Sequence, residues 1–305
     1  MFVRQLNYLI ALARERHFAR AAEACHVSQP TLSAAIHHLE EELGVSIVKR
    51  GQRFEGFTSE GERVLSWAQR ILADWDGLRQ DVRGMRDQPV GELRCGMIPT
   101  ALPVAALLNG PCRERYPLIT PVVLSRPSVD IVRGIETFEL EVGLSYLDDE
   151  QQPHLRELPL YRERYVLVTK DASRTTPNGR IGWAEAATMP LCLLTPNMQN
   201  RRIIDAAFQQ AGESPRVTAE TDSILAMYSS VCYAGLACII PHSLLILFPR
   251  QHEVVVMSLE PALSRQVGLI SLRRDPSPPV VEAFANVVRE IDVQGRIEEL
   301  IAGVY

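Results

Sequence analysis

The chain has 305 residues, 46% of them hydrophobic and 23% charged, with a formal net charge of −5. Its length and composition predict a globular protein of about two domains and exclude a disordered or fibrous chain. The net charge excludes a uniformly basic surface, so a nucleic-acid-binding surface would have to be local. Residues 1–53 carry seven Lys and Arg against five Asp and Glu.

Targeting and redox signals are both weak in this sequence. The N-terminus lacks the long uncharged segment and small-residue cleavage site of a signal peptide, and no apolar run is long enough to cross a membrane. We therefore expect a cytoplasmic protein with no membrane partner. The six cysteines are scattered without CxxC spacing, which predicts no disulfide framework, no metal site and no other cofactor.

Two helices are predicted at the start of the chain. The first has apolar residues at helical spacing on one buried face: Leu6, Leu9, Ile10 and Ala13. The second begins at about Arg20 and has a smaller apolar face: Ala21, Ala22 and Cys25. The segment 26–28 then interrupts the periodicity, which predicts a turn before a third helix.

The third helix has clear start and stop signals. Ser28 is a predicted N-cap, Pro30 fits the first turn, and Gly44 ends the helix. An inward apolar stripe is predicted from four residues: Leu32, Ile36, Leu39 and Leu43. The outward face carries mostly short polar groups near the N-terminal end: Gln29, Thr31, Ser33, Ala34, His37 and His38. Such groups can hydrogen-bond base edges in a major groove, so this helix is a candidate DNA-recognition helix.

A β-hairpin is predicted over residues 47–58, where two short apolar runs flank a glycine-containing turn. It would form a wing beside the third helix. Lys49, Arg50 and Arg53 on this wing could contact phosphates, which fixes the register of a protein on DNA without reading its sequence. The alternative is an ordinary three-helix unit whose polar face is only solvated.

The run from Ala21 to Ser33, continued from Leu39 to Gly44, resembles the signature of the LysR-type transcriptional regulators, and the resemblance extends over the whole chain. It implies a winged helix-turn-helix over residues 1–58. At matching positions, Gln29, Pro30 and Ser33 would face the groove and Arg50 and Arg53 would lie in the wing. The predicted DNA-binding residues are therefore Ser28, Gln29, Pro30, Thr31, Ser33, His37, Lys49, Arg50 and Arg53.

A long linker helix is predicted over residues 59–88, where no proline occurs between Ser59 and Met85. Its apolar residues alternate steps of four and three: Val64, Ala68, Ile71, Trp75, Leu78, Val82 and Met85. This heptad seam favours pairing with a second copy, although packing against the chain's own domain is the alternative. The family resemblance also implies a dimer formed through this helix, and commonly a tetramer.

Residues 89–305 are predicted to form an α/β domain. Short apolar strands alternate with helical patterns, which indicates largely parallel sheets. The predicted strands are 93–98, 120–124, 142–145, 165–168, 191–194 and 237–240. The family resemblance implies two Rossmann-like lobes similar to type 2 periplasmic binding proteins. Lobe I would cover about 89–161 and 267–305, and lobe II about 162–266.

A cleft between these lobes is the predicted effector site. Two strand ends there combine hydroxyl, amide and backbone donors with a helix N-terminus, which suits a small anion, most simply a carboxylate. The predicted effector-binding residues are Pro99, Thr100, Ala101, Thr195, Met198, Gln199 and Asn200. Ser128 joins them by the family pattern, and Arg126, Arg201 and Arg202 are candidate partners of the anion. Ordinary helix capping is the alternative for each polar residue.

The resulting hypothesis is a DNA-binding transcription regulator controlled by a small effector. Its expected partners are double-stranded DNA, the effector, further copies of the chain and RNA polymerase. One alternative is a thiol redox sensor of the same architecture, for which Cys112 stands out because Arg113 and Arg115 follow it. An enzyme is not expected, because the sequence contains no P-loop, GxGxxG, GxSxG or HExxH motif.

Overall fold

A computed structural model gives the structure of the chain and describes residues 3–49, 54–84, 88–147, 152–171, 173, 178–247 and 254–304. The chain forms two compact units, Met1–Arg86 and Asp87–Tyr305. Among the described residues, no helix is long and apolar enough to cross a membrane.

The first unit consists of helices and one short antiparallel contact. The helices are α1 Val3–Glu15, α2 Phe18–Ala24, α3 Gln29–Leu43 and α4 Ser59–Gly84. Residues Val48 and Phe57 form an antiparallel bridge, as the hairpin prediction requires. The start and stop signals of α3 are confirmed, because the Ser28 hydroxyl accepts a hydrogen bond from Thr31 N and Gly44 adopts a left-handed conformation, with φ 68°.

Three details of the helical predictions were wrong. Leu43 is 43% exposed, because it lies in the last turn of α3 beyond the reach of the core. On α1 the buried face turns toward Tyr8, Ala11 and Leu12, which leaves Ile10 and Ala13 only half-buried. Helix α2 begins at Phe18 instead of near Arg20, and Cys25 follows its end.

The second unit is an α/β domain. Its strands are β1 Gly91–Met97, β2 Ile119–Ser125, β3 Val142–Tyr146, β4 Leu155–Thr169, β5 Arg180–Gly182, β6 Leu191–Leu194, β7 Val217–Thr221, β8 Cys238–Pro241, β9 Val255–Glu260 and β10 Ser264–Leu272. Its α-helices are α5 Ala105–Arg115, α6 Ser128–Glu136, α7 Trp183–Thr188, α8 Gln199–Gln210, α9 Ile224–Ala234, α10 Pro279–Glu290 and α11 Val293–Val304. Two 3₁₀ helices cover Pro99–Val104 and His242–Leu247.

Strand β4 passes from one half of this unit to the other. Its first part, up to Arg164, pairs with β10, and its last part pairs with β8 and β9. The first half continues as β10-β3-β1-β2, and β6 and β7 form a separate pair in the second half. The prediction of largely parallel sheets was only partly correct, because the pairing is mixed. Strands β1 and β2, β1 and β3, β5 and β9, and β6 and β7 pair in parallel. Strands β10, β8 and β9 run antiparallel to β4, and β10 also runs antiparallel to β3.

The C-terminal helix α11 packs on both halves. Gln294 Oε1 accepts a hydrogen bond from Arg162 N, and Ile301 packs against the apolar cluster of the second half. Residues predicted for the end of lobe I therefore also contact the predicted lobe II, whereas the exact lobe boundaries stay a prediction.

Candidate functional site

The predicted recognition face of α3 is exposed. Gln29, Pro30, Thr31, Ser33 and His37 all lie at the surface. Two of the polar residues named in the sequence bind each other, because the Ser28 and Thr31 hydroxyls lie 2.8 Å apart. The face is therefore held in position by its own cap, and the other side chains remain open to solvent.

Two glutamates near the end of the same helix lie close to its histidines. His37 lies 3.7 Å from Glu40 and 3.4 Å from Glu41, and His38 lies 3.1 Å from Glu41. All of these groups except Glu40 are more than half exposed, so the pairs contribute little to stability. They do place any positive charge of the histidines beside carboxylates, near the middle of α3.

Glu40 has a role that sequence reasoning missed. Its carboxylate accepts hydrogen bonds from the backbone N–H groups of Ile47 at 2.6 Å and Val48 at 3.0 Å. It thereby fixes the first strand of the wing to the recognition helix. From sequence, Glu40 was only one of three acidic residues following the polar face. Its position beside the buried Leu39 was the one signal of an inward role.

The wing is described on both sides of its turn. Lys49 is exposed, and its backbone N–H donates to Gly56 O at 3.0 Å. The rings of Phe54 and Phe57 pack edge to face, 5.1 Å between centroids, and Phe18 packs on Phe54. Arg50 and Arg53 lie outside the described residues, so their predicted phosphate contacts stay predictions.

The heptad seam of α4 divides into two parts. Ala68 is buried, and Val64 and Ile71 are partly buried in a cluster with residues of α1. Further along the helix, Trp75, Leu78 and Val82 are 44%, 53% and 55% exposed. The alternative of packing against the chain's own domain is therefore correct for the first part of the seam. The second part is exposed in the portion of the chain that the structure describes. Met85 lies outside the described residues.

A buried polar network joins the two halves of the second unit. We define the interlobe network as Thr100, Tyr146, Tyr161, Glu163, Tyr165, Asn200 and Ser243. The Tyr146 hydroxyl lies 3.3 Å from Thr100 Oγ1 and 3.2 Å from the Tyr165 hydroxyl, and Asn200 Nδ2 donates to that of Tyr165 at 3.3 Å. Thr100 and Asn200, predicted as separate effector contacts, are therefore linked through two tyrosines of the chain itself.

Glu163 is the acidic member of this network and is fully buried. It accepts hydrogen bonds from the hydroxyls of Tyr146 at 3.3 Å, Tyr161 at 3.2 Å and Ser243 at 3.5 Å. Among the described residues no cation pairs with it, and burial raises the pKa of its carboxyl to about 8. Burial beside this carboxyl also raises the pKa of Tyr146 and Tyr161.

A cavity of about 550 Å³ lies next to the interlobe network. Ser128 and Arg133 of α6, Ser145 and Tyr146 of β3, Glu157 of β4 and Arg202 of α8 are among its lining residues. It therefore receives side chains from both predicted lobes. Of the residues predicted to bind an effector, Ser128 lines this cavity directly, and Thr100 lies behind Tyr146.

The remaining predicted effector residues lie deeper or elsewhere. Ala101 and Met198 are buried in apolar clusters, Pro99 is partly buried, and Gln199 opens α8. Thr195 Oγ1 is buried and has no hydrogen-bond partner among the described residues. These placements do not test ligand binding, so the set stays a prediction.

The Arg201 guanidinium is paired with other groups of the protein. Its guanidinium is bonded to Asp205 at 2.8 Å, Glu220 at 2.7 Å and the Leu194 carbonyl at 2.8 Å. These partners satisfy its charge, so Arg201 is not available as the counter-ion of a ligand. Arg202, its neighbour, is exposed and lines the cavity.

All six cysteines are free thiols, and five of them are buried. Burial raises the pKa of Cys25, Cys95, Cys112, Cys192 and Cys238. Cys112, singled out by its arginine neighbours in sequence, points into the core of the α/β unit and has no exposed surface. In the part of the chain that the structure describes, no three His, Cys, Asp or Glu residues are grouped to hold a metal ion.

Comparisons with known families cover both units. Residues 3–62 match the bacterial regulatory helix-turn-helix protein, lysR family, and residues 86–292 match the LysR substrate binding domain. The chain is 27% identical over 305 residues to a hydrogen peroxide-inducible genes activator of Pectobacterium carotovorum subsp. carotovorum, covering 98% of this chain and 99% of the relative. It is 26% identical over 296 residues to the DNA-binding transcriptional dual regulator OxyR of Escherichia coli, covering 95% of each.

Solved structures show the same architecture. A full-length OxyR variant from Pseudomonas aeruginosa is 26% identical, with a TM-score of 0.75 over 96% of this chain and 99% of that chain. Full-length CbnR in complex with its target DNA is 23% identical, with a TM-score of 0.66 over 95% of this chain and 99% of that one. The second likeness supports the fold alone. Both place a helix-turn-helix and a substrate-binding domain in one chain.

Proposed function

Since the chain belongs to the LysR-type transcriptional regulators, a family of DNA-binding regulators and not enzymes, we propose which of its surfaces read DNA, assemble copies and sense an effector. The observation that carries the DNA assignment is the exposed polar N-terminal part of α3 beside a wing that presents Lys49. Gln29, Thr31, Ser33 and His37 would contact base edges, with Ser28 and Pro30 shaping the helix start. Lys49, Arg50 and Arg53 would contact phosphates.

Measurements of operator binding distinguish residues that contact bases from residues that contact phosphates. We expect Gln29→Ala to weaken binding to the DNA upstream of the chain's own gene by about 1–3 kcal/mol, with little effect on unrelated DNA. Lys49→Ala should weaken binding to all sequences and lower the slope of log affinity against log salt by about one. Affinities measured across a salt series test both. Glu23→Ala, an exposed residue of α2, is the matched control. Equal losses on every sequence for both variants would contradict the division into base reading and phosphate contact.

The exposed part of the α4 seam is the proposed dimer contact. Trp75, Leu78 and Val82 follow heptad spacing and are exposed among the described residues, which is the arrangement a second helix would complete. A dimer would present two recognition helices to a roughly two-fold symmetric operator, and pairing of dimers would give the predicted tetramer.

Light scattering tests this contact with one matched pair of variants. Leu78→Asp should shift the protein toward monomer at micromolar concentration, because a carboxylate in the seam would be buried against the partner. Ala73→Asp introduces the same group on the far side of α4 and should leave the assembly unchanged. A stable dimer of the Leu78→Asp variant would show that the α4 seam is not the dimer interface.

The proposed effector is a small molecule with an anionic group, bound between the two lobes. Arg202 is the cation that the cavity offers, and Ser128 adds a hydroxyl. A ligand bound more tightly by one lobe arrangement would change the placement of subunits, typically with about 1–3 kcal/mol of coupling. As a bacterial-type regulator the protein would act in the cytoplasm and contact RNA polymerase at the promoter.

Thiol sensing is the alternative raised by relatives that are named hydrogen peroxide-inducible genes activators. Peroxide reacts with an exposed thiolate, and a low thiol pKa favours that form. The thiols of this chain have the opposite features, because five of the six are buried and the pKa of five is raised. Ligand binding in the cavity is therefore the better supported signal.

A further inference from the structure

The charges that line the cavity are not equivalent. Arg133 is paired with Asp130 at 2.8 Å, and Glu136 is paired with His154 at 2.8 Å. Glu157 and Arg202 line the same cavity, but neither forms an ion pair or side-chain hydrogen bond with any described residue. The cavity therefore offers a ligand one uncommitted carboxylate and one uncommitted guanidinium.

These two charges come from different lobes. Glu157 lies on the first part of β4, which pairs with β10, whereas Arg202 lies in the first turn of α8 in the second half of the unit. The cavity also has apolar lining residues, which include Val132, Leu147 and Ile270. A ligand that contacts both charges would span the two lobes with an apolar body between or beside its polar groups.

We propose that the cavity selects a small zwitterion with an apolar body. Its carboxylate would bind Arg202, its ammonium would bind Glu157, and its carbon chain would pack on the apolar wall. The inference rests on the proposed function, since it specifies the effector class of the same cavity. A simple carboxylate would gain no ion pair with Glu157, and a simple amine would gain none with Arg202.

Binding to both charges would also allow the ligand to shift the equilibrium between lobe arrangements. An ion pair from each end holds β4 and α8 at a fixed separation, whereas a ligand with one charge is held by one lobe only. The zwitterion would therefore favour one lobe arrangement over others, which a ligand must do to shift an equilibrium.

Calorimetric titration of the full-length chain tests this with two ligand series. The first series is leucine, isocaproate, which lacks the amine, and isoamylamine, which lacks the carboxylate. The second is ε-aminocaproate, caproate and amylamine, in which the charges lie further apart. We expect at least one zwitterion to bind about tenfold or more tightly than both of its single-charge analogues.

Variants assign the preference to residues. Glu157→Gln should abolish the preference for the zwitterion over its carboxylate analogue and leave the carboxylate's own affinity unchanged. Arg202→Gln should abolish the preference for the zwitterion over its amine analogue. Arg216→Gln, an exposed arginine outside the lining of the cavity, is the control, and thermal unfolding verifies that each variant is folded.

The outcomes separate this inference from the proposed function. Carboxylates that bind as tightly as zwitterions, through Arg202 and regardless of Glu157, would overturn the zwitterion and support an anionic effector. If no probe of either series binds at millimolar concentration, the zwitterion inference is overturned, and retained operator binding would leave the DNA-binding function intact.

Discussion

Glu163→Gln is expected to stabilise the Asp87–Tyr305 unit at alkaline pH and to have little effect near pH 5. The wild-type carboxyl is fully buried, receives hydrogen bonds only from hydroxyl groups, and has a pKa of about 8. Its ordinary pKa is 4.5. Glutamine has nearly the same shape and never ionises. Its Oε1 can accept from the Tyr161 and Ser243 hydroxyls, and its Nε2 would donate to the Tyr146 hydroxyl where the second carboxyl oxygen accepts, so it removes the unfavourable ionisation and keeps the network connected.

The direction follows from proton linkage. The folded state binds the Glu163 proton more tightly than the unfolded chain does, so its contribution to stability is complete below pH 4.5. As pH rises toward 8, the unfolded chain loses this proton first and the wild-type protein loses stability. The loss approaches about 1.4 kcal/mol per pH unit within that window, so a difference of a few kcal/mol between variant and wild type should develop by about pH 8.

Denaturant unfolding at about pH 5, 7 and 8.5, followed by tryptophan fluorescence, measures this difference. Trp183 is buried in the same unit and reports its unfolding, whereas Trp67 and Trp75 lie exposed on α4. Glu157→Gln, which removes an exposed carboxyl of the same strand, is the control. His242, whose pKa burial lowers to about 4, titrates in both proteins and cancels from the comparison. If Glu163→Gln changes the free energy of unfolding by the same amount at each pH, the raised pKa of Glu163 does not contribute to stability and the prediction is wrong.

Local features of the fold were predictable because their causes are local. Ser28 and Gly44 determine where α3 begins and ends, and short-range periodicity located most of the strands. Sheet direction was not predictable in this way, because β4 pairs with strands far along the chain. A neighbour that runs parallel or antiparallel leaves the same apolar pattern in a short buried strand.

The interlobe network shows why the candidate site was only partly predictable. Thr100 and Asn200 were correctly identified as polar groups at strand ends. Their contacts to Tyr146 and Tyr165, however, form only when two lobes pack together, across 46 and 35 residues of sequence. Glu163 gave no sequence signal of its own, because a single acidic residue in an alternating strand is ordinarily placed on the solvated face.

The surroundings of the α4 seam were also only partly predictable. Periodicity identified an apolar stripe, but it does not determine what covers that stripe. Ala68 is covered by the chain's own α1, whereas Leu78 is exposed within one chain. The boundary between these two environments lies where α4 leaves the apolar cluster formed with α1, α3 and the wing, which no pattern within α4 encodes.

Two glycines on α4 are expected to respond in opposite directions to alanine. A Cβ at Gly61 would overlap with the carbonyl oxygen of Ile47 and lie 2.8 Å from its carbonyl carbon. These are backbone atoms at the start of the wing, held by the bond from Thr58 N to Ile47 O at 2.9 Å, so they cannot move aside like a side chain. Gly77 has no neighbouring atom within 4 Å of such a Cβ.

Gly61→Ala should therefore destabilise the Met1–Arg86 unit by about 2–3 kcal/mol, because either α4 or the wing must shift. It should also weaken operator binding, since Ile47 and Val48 connect the wing to Glu40 of the recognition helix. Gly77→Ala should instead stabilise this unit by up to about 1 kcal/mol, because alanine loses less backbone freedom than glycine on forming a helix.

Hydrogen exchange of the amides of α1 and α3 reports the stability of this unit separately from the α/β unit. Faster exchange and weaker operator binding for Gly61→Ala, with slower or unchanged exchange and normal binding for Gly77→Ala, are the expected results. If both substitutions slow exchange, helix propensity alone governs both positions and the close approach of α4 to the wing is not maintained in solution. If Gly61→Ala destabilises the unit but leaves operator binding intact, the clash is relieved by a shift of α4 and the wing keeps its position.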